Sequence, residues 1–183
     1  PHIGNYGVNG DDEESGRPWA EGFVVKELSP VVSNFRSRMT LDEYLKKHGI
    51  VGIQGVDTRK LTKHLRDRGA MKGGISTTEL GPQALVKKVQ DSPGLVGLDL
   101  VKDVTCKVPY DFDETLLPGY EWPEKIPSRS KRYFVVCVDG GIKRNILRKL
   151  NQHGFRVKVV PAWASAQEIL KEKPDGVFLS NGP

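Results

Sequence analysis

Two kinds of hydrophobic pattern divide the chain. From residue 132 onward the apolar residues come in short blocks: "YFVVCV" (133–138) is apolar without a break, which suits a strand buried on both faces. "KRNILRKLNQHG" (143–154) has helical period, with Ile146, Leu147 and Leu150 turned inward and Gly154 at its end, and "FRVKVV" (155–160) alternates as a second strand. Ser165 and Glu168 have the spacing of a capping box for "SAQEILKEK", Pro174 bars its continuation, and "GVFLS" (176–180) is a third strand. Strand, helix, strand, helix, strand at this spacing predicts a parallel, doubly wound sheet, and such sheets take ligands in the crevice beyond the carboxyl ends of their strands. Two turns lie at such ends: Asp139-Gly140-Gly141 and Ser180-Asn181-Gly182.

Up to residue 103 the pattern mixes short strands with capped helices. In "TLDEYLKKHG" Thr40 and Glu43 are spaced as a capping box, Leu41, Tyr44 and Leu45 share a face, and Gly49 suits a left-handed termination. "GIVGIQGV" reads as a strand. Asp57 then caps a helix through Leu61 and Leu65 to Gly69, with Val56 placed to staple Leu61. A further helix covers "PQALVKKVQ", with Pro82 in its first turn. Between 103 and 131 the period dissolves into a proline-rich stretch. It reads as a partly extended connection whose aromatics Tyr110, Phe112, Tyr120 and Trp122 pin it to a surface. The expected organisation is therefore a first domain over 1–103, a connection over 104–131 and a second domain from 132 to 183.

Composition narrows the chemistry. With 37% hydrophobic and 28% charged residues, the 183-residue chain belongs with globular proteins, and no apolar run approaches the roughly 18 residues of a membrane span. The opening "PHIGNYGVNGDDEESG" has neither the basic start nor the apolar stretch of a signal peptide. Two cysteines, Cys106 and Cys137, cannot build a disulfide framework or a four-cysteine zinc site; both read as inert thiols in a reducing cytoplasm. A net charge of +5 and a pI of 9.2 raise nucleic acid as a partner, centred on Arg59, Lys60, Lys63, Arg66, Arg68 and Lys72. Asp57 and Asp67 interrupt that run and no aromatic residues interleave as stacking platforms, so a solvated helix face is the expectation, with no nucleic-acid partner and no membrane. His2, His48, His64 and His153 are expected in surface or capping roles, and no residue cluster has metal-ligand spacing. The glycines of "DGGIKRN" miss the spaced dinucleotide fingerprint, and Asp139 reads as the cap of its own turn before it reads as a phospho-acceptor.

Five stretches together are more specific than either glycine turn: "IGNYGVN", "SNFRS", "LDEYLKKHGIVGIQGVDTRKLTKHLRDRGAMKGGI", "GIKRNILRKL" and "DGVFLSNGP". In order and spacing they resemble the small, glutamine-hydrolysing subunit of carbamoyl phosphate synthetase over nearly the whole chain. The resemblance implies an α/β protein: an N-terminal domain of the swivelling β/β/α type, incomplete at its start, and the first βαβαβ part of a flavodoxin-like class I glutamine amidotransferase domain. It implies that the chain is an internal stretch cut at both ends, in the cytoplasm or a plastid. It also implies a large-subunit partner, which receives ammonia released from glutamine and combines it with bicarbonate and ATP for arginine and pyrimidine synthesis. No cofactor is implied in this subunit, while ATP and magnesium belong to the large one. The family's nucleophilic Cys, with its His and Glu, follows the S-N-G-P-G turn, so no catalytic residue is expected in this chain. Gly182 matches the first glycine of that turn and is the one position implied to contact glutamine. Gly140 stands where the family usually has an aromatic, and packing is expected to be lost there. The runner-up is a noncatalytic interaction module related to this subunit.

Overall fold

A computed structural model describes residues 3–78, 81–116 and 132–183, which form two compact units. The first takes in the N-terminal residues to Asp12 and Arg17–Val96; the second takes in Glu13–Gly16 and Gly97–Pro183.

In the first unit, β1 (Gly22–Val24) and β2 (Val51–Ile53) pair in parallel, Gly22 opposite Val51. Before β2 comes α1 (Leu41–Lys47), which starts as its sequence predicts. Thr40 Oγ1 accepts from the Glu43 N–H at 3.1 Å, and the Glu43 carboxylate accepts from the Thr40 N–H at 2.7 Å. Gly49 follows at φ 66°, a left-handed turn that a side chain would strain, and this lets the Ile50 N–H return to the Leu45 carbonyl at 2.9 Å. Two further helices, α2 (Thr58–Arg68) and α3 (Pro82–Asp91), contain no buried residue. The Asp57 side chain caps α2 by accepting from the Lys60 N–H at 2.9 Å.

The second unit is organised by one four-stranded sheet. After a single turn of helix, α4 (Val101–Val104), its strands are β3 (Tyr110–Phe112), β4 (Phe134–Asp139), β5 (Arg156–Pro161) and β6 (Gly176–Leu179), in the spatial order β3-β5-β4-β6. β4 runs parallel to both β5 and β6, joined through α5 (Arg144–Gln152) and α6 (Ala166–Lys171). The expected parallel core is therefore present, but the sheet is mixed, because β3 adds an antiparallel edge against β5. That strand comes from a stretch expected to be a connection. The main stretch of the second unit begins at Gly97, inside the expected first domain, and Phe112 packs on its core. Residues 117–131, with Tyr120 and Trp122, lie outside the described residues.

The unbroken apolar run of β4 is used on both sides of the sheet. Val135 and Cys137 join Leu147 of α5 with Val157 and Val159 in one cluster, while Phe134 and Val136 join Ile169 of α6 with Val160 in another. A strand covered on both faces cannot afford polar side chains, which is why its sequence does not alternate. Ser165 and Glu168 make the second capping box, at 3.2 and 2.8 Å, and Lys173, at φ 52°, turns the chain out of α6 before Pro174. Hydrogen bonds from the two cap residues hold the Glu43 and Glu168 carboxyls below the usual carboxylate range. The stabilisation from these carboxylates is present above the unfolded pKa and is lost as pH falls through the depressed folded one.

Thr40→Ala and Ser165→Ala should each cost about 1 kcal/mol locally, read as faster amide hydrogen exchange in α1 and α6 respectively. Unchanged exchange in the helix that lost its cap would contradict the capping assignment.

Candidate functional site

The spatial order of the sheet puts the first strand of the βαβαβ run between the second and the third. The loops leaving β4 and β6 are therefore neighbours at the point where the chain's winding reverses, the place where open α/β sheets bind ligands. Both turns singled out in the sequence are there.

Asp139 closes β4 and is 5% exposed. Its Oδ1 accepts from the N–H groups of Gly141 and Ile142, both at 2.9 Å, and its Oδ2 accepts from the Cys106 N–H at 2.7 Å. Three donors on one buried carboxylate account for the side chain as the cap of its turn, as the sequence suggested. The neighbouring residue Thr105 is buried and its hydroxyl accepts from the Ala162 N–H at 2.9 Å, just past β5. Residues 105 and 106 thus lace the carboxyl end of β4 to that of β5.

On the other side the lacing is done by Ser180. Its Oγ accepts from the Gly140 N–H at 2.8 Å and donates to the Asn181 carbonyl at 2.6 Å, while its own N–H donates to the Val138 carbonyl at 3.2 Å. This brings Gly182 onto Gly140. A Cβ on Gly182 would sit 2.7 Å from the Gly140 carbonyl oxygen, and a Cβ on Gly140 would meet the Asn181 carbonyl at 3.2 Å. Two glycines face each other where neither tolerates a side chain without movement, and the packing expected to be lost at Gly140 is replaced by this backbone contact.

The helix that follows is anchored by a residue that local sequence does not reveal. The first residues of α5 have no side-chain cap of their own, but Glu14, which belongs to this unit, accepts the Asn145 N–H on its carboxylate and the Arg144 N–H on its carbonyl, both at 3.0 Å. A carboxylate at a helix N-terminus is favourable, yet nothing in residues 139–145 announces a partner so far back in the chain.

Neither cysteine is prepared for nucleophilic chemistry. Cys137 is 0% exposed in the core, and burial pushes its thiol up to about 12. Cys106 is half-buried and pushed up to about 11, first by burial and then by the Asp139 carboxylate. Tyr110 is likewise raised to about 12, mainly by burial and then by Asp139. His48, whose ring meets that of Tyr44 in a tilted contact at 4.5 Å, and His64 and His153 are exposed; His2 lies outside the described residues. Among the described residues no group of three His, Cys, Asp or Glu could hold a metal ion, and no helix is long and apolar enough to cross a membrane. The first unit carries a groove of about 380 Å³ walled by Phe23, Val25, Leu28, Leu41, Leu45 and Ile50. Its charged pair, Asp42 and Lys46, is already joined at 2.7 Å, so it presents no chemistry of its own.

Two family models match separate stretches of the chain. Residues 1–75 match the family model for the carbamoyl-phosphate synthase small chain, CPSase domain, and residues 136–183 match that for glutamine amidotransferase class-I. Three relatives named carbamoyl phosphate synthase small chain align with the whole of this chain. That of Syntrophotalea carbinolica is 55% identical, that of a Synechococcus strain 49% and that of Yersinia pestis 48%, covering 48%, 46% and 47% of those proteins. The chain spans about half the length of the curated relatives it matches.

The Cys106 thiol should be slow to alkylate. With a pKa near 11, on the order of one molecule in a thousand is thiolate at pH 8, and the rate should rise about tenfold per pH unit until pH approaches 11. Mass spectrometry of iodoacetamide labelling checks this; a plateau already reached at pH 7 would contradict the assigned environment.

Proposed function

Because the chain belongs to the carbamoyl phosphate synthase small chain family, we propose that the protein it represents hydrolyses glutamine and delivers the ammonia to a large subunit for carbamoyl phosphate synthesis. The observation that carries this reading is the pair of facing glycines at the winding reversal of the sheet, with Gly182 in the turn that matches the amidotransferase family. On this reading the second unit is the start of a flavodoxin-like amidotransferase domain and the first unit is of the swivelling β/β/α type.

Attack of a thiolate on the glutamine carboxamide produces a tetrahedral oxyanion, and rigid backbone donors are most useful when they meet charge that develops only in the transition state. Gly182 is the residue of this chain assigned to the glutamine. The absence of a side chain lets backbone approach the carboxamide, and its contact with Gly140 fixes where that backbone lies. The nucleophile is assigned to neither Cys106 nor Cys137, whose raised thiols are unsuited to the task. On this reading the catalytic Cys, His and Glu belong to the remainder of the full-length protein. ATP, magnesium and bicarbonate are assigned to the large subunit, so the ATP-dependent steps and the glutaminase step occupy different proteins. The 183-residue chain by itself is expected to release no glutamate from glutamine.

In the full-length protein with its large subunit, Gly182→Val should reduce glutamine-dependent carbamoyl phosphate synthesis by on the order of 10²- to 10³-fold, the usual consequence of misplacing one oxyanion-stabilising donor. The added Cβ cannot coexist with the Gly140 carbonyl oxygen at 2.7 Å, so the turn must move. Synthesis from free ammonia should be nearly unchanged. Cys137→Ala, which removes a small group from the core, should lower stability modestly and spare both rates. Normal glutamine-dependent turnover in Gly182→Val would overturn the assignment of this turn.

A further inference from the structure

We propose that Ser180 is a positioning residue for the Gly182 turn, its hydroxyl holding the β4 and β6 turns in one fixed register; this rests on the reading of that turn as the glutamine contact. A hydroxyl has one donor and two acceptor sites, and Ser180 uses both kinds at once, accepting from Gly140 at 2.8 Å and donating to Asn181 at 2.6 Å. The first bond fixes the Asp139–Gly140 peptide, the unit just before the Gly140 carbonyl oxygen that Gly182 packs on. The second fixes the carbonyl of Asn181, which is one half of the peptide bond leading into Gly182. One side chain therefore holds the peptide that enters Gly140 and the carbonyl of the peptide that enters Gly182. Ser180 is itself held to β4 by its N–H on the Val138 carbonyl at 3.2 Å, so the bridge is referenced to the sheet and does not drift with the loop.

The same turn lies close to position 140: a Cβ there would be in ordinary contact with the Ser180 Oγ at 3.4 Å and in a tighter one with the Asn181 carbonyl oxygen at 3.2 Å. Ser180 touches no reacting atom in this account and acts only through the backbone of Gly140 and Asn181.

The test compares Ser180→Ala and Ser180→Thr in the full-length protein with its large subunit. Ser180→Ala removes both bonds and should lower kcat/KM for glutamine about tenfold, the scale of one to two net hydrogen bonds, leaving ammonia-dependent synthesis unchanged. Ser180→Thr keeps the hydroxyl and should remain within about threefold of wild type. Alongside activity, amide hydrogen exchange is measured at Gly140, which should exchange about tenfold faster in Ser180→Ala than in wild type or Ser180→Thr. A Ser180→Ala protein with wild-type kcat/KM for glutamine would overturn the proposal, as would Gly140 exchange that does not respond, or a Thr variant as impaired as the Ala one. If the wild-type complex itself used no glutamine, the functional reading would fail; the Gly140 exchange would still decide whether Ser180 holds the turn.

Discussion

A buried carboxylate needs donors, and the carboxyl end of β4 is arranged around that requirement. Asp139 takes three backbone N–H groups, two from the turn it begins and one from Cys106, so the turn and the 105–106 segment must come to it. Thr105 then reaches the end of β5 and Ser180 joins the end of β6 to Gly140. The carboxyl ends of three parallel strands are in this way connected by side-chain to backbone hydrogen bonds. A loop held on both sides of its strand gives the Gly140 and Gly182 backbones a defined separation. Precise separation is what a site built from backbone donors requires, since such a site has no side chain that could adjust.

Much of this was legible in the sequence because it depends on local chemistry. Thr40 with Glu43, Ser165 with Glu168 and Asp57 announce helix starts through spacing alone, and Gly49 announces a stop because few other residues accept its φ. The β4-α5-β5-α6-β6 run was legible because burial on both faces removes polar residues from β4. What the sequence concealed depends on distance. β3 is three residues long and too short to show a period; it is a strand because the edge of β5 offers it a partner. Glu14 reaches α5 from the far end of the chain, and Cys106 contributes its N–H to Asp139 by virtue of its place, not its side chain. The start of the second unit's main stretch at Gly97 was hidden for the same reason: α4 and the segment after it have weak periodicity, and Thr105 and Cys106 are tied in by long-range bonds.

Gly182 marks the limit of each kind of reasoning. As a local sequence, Asn-Gly-Pro is an ordinary turn. The sheet topology makes it a candidate, since the order β5-β4-β6 brings it to the winding reversal beside Gly140. The amidotransferase match over residues 136–183 supplies the chemistry that a backbone-lined turn could serve. The first unit, by contrast, carries capped helices, an apolar groove and a basic face on α2 without any group poised for catalysis among the described residues.

The central claim is that glutamine binds against the two facing glycines. A titration of the full-length protein, labelled with ¹⁵N-glycine, with an unreactive glutamine analogue tests it most directly. The account predicts that the amide signals of Gly140 and Gly182 shift together and saturate with the same dissociation constant, while Gly49 and Gly52 beside the groove of the first unit stay still. Saturable binding that moves the groove glycines and leaves Gly140 and Gly182 unmoved would contradict it.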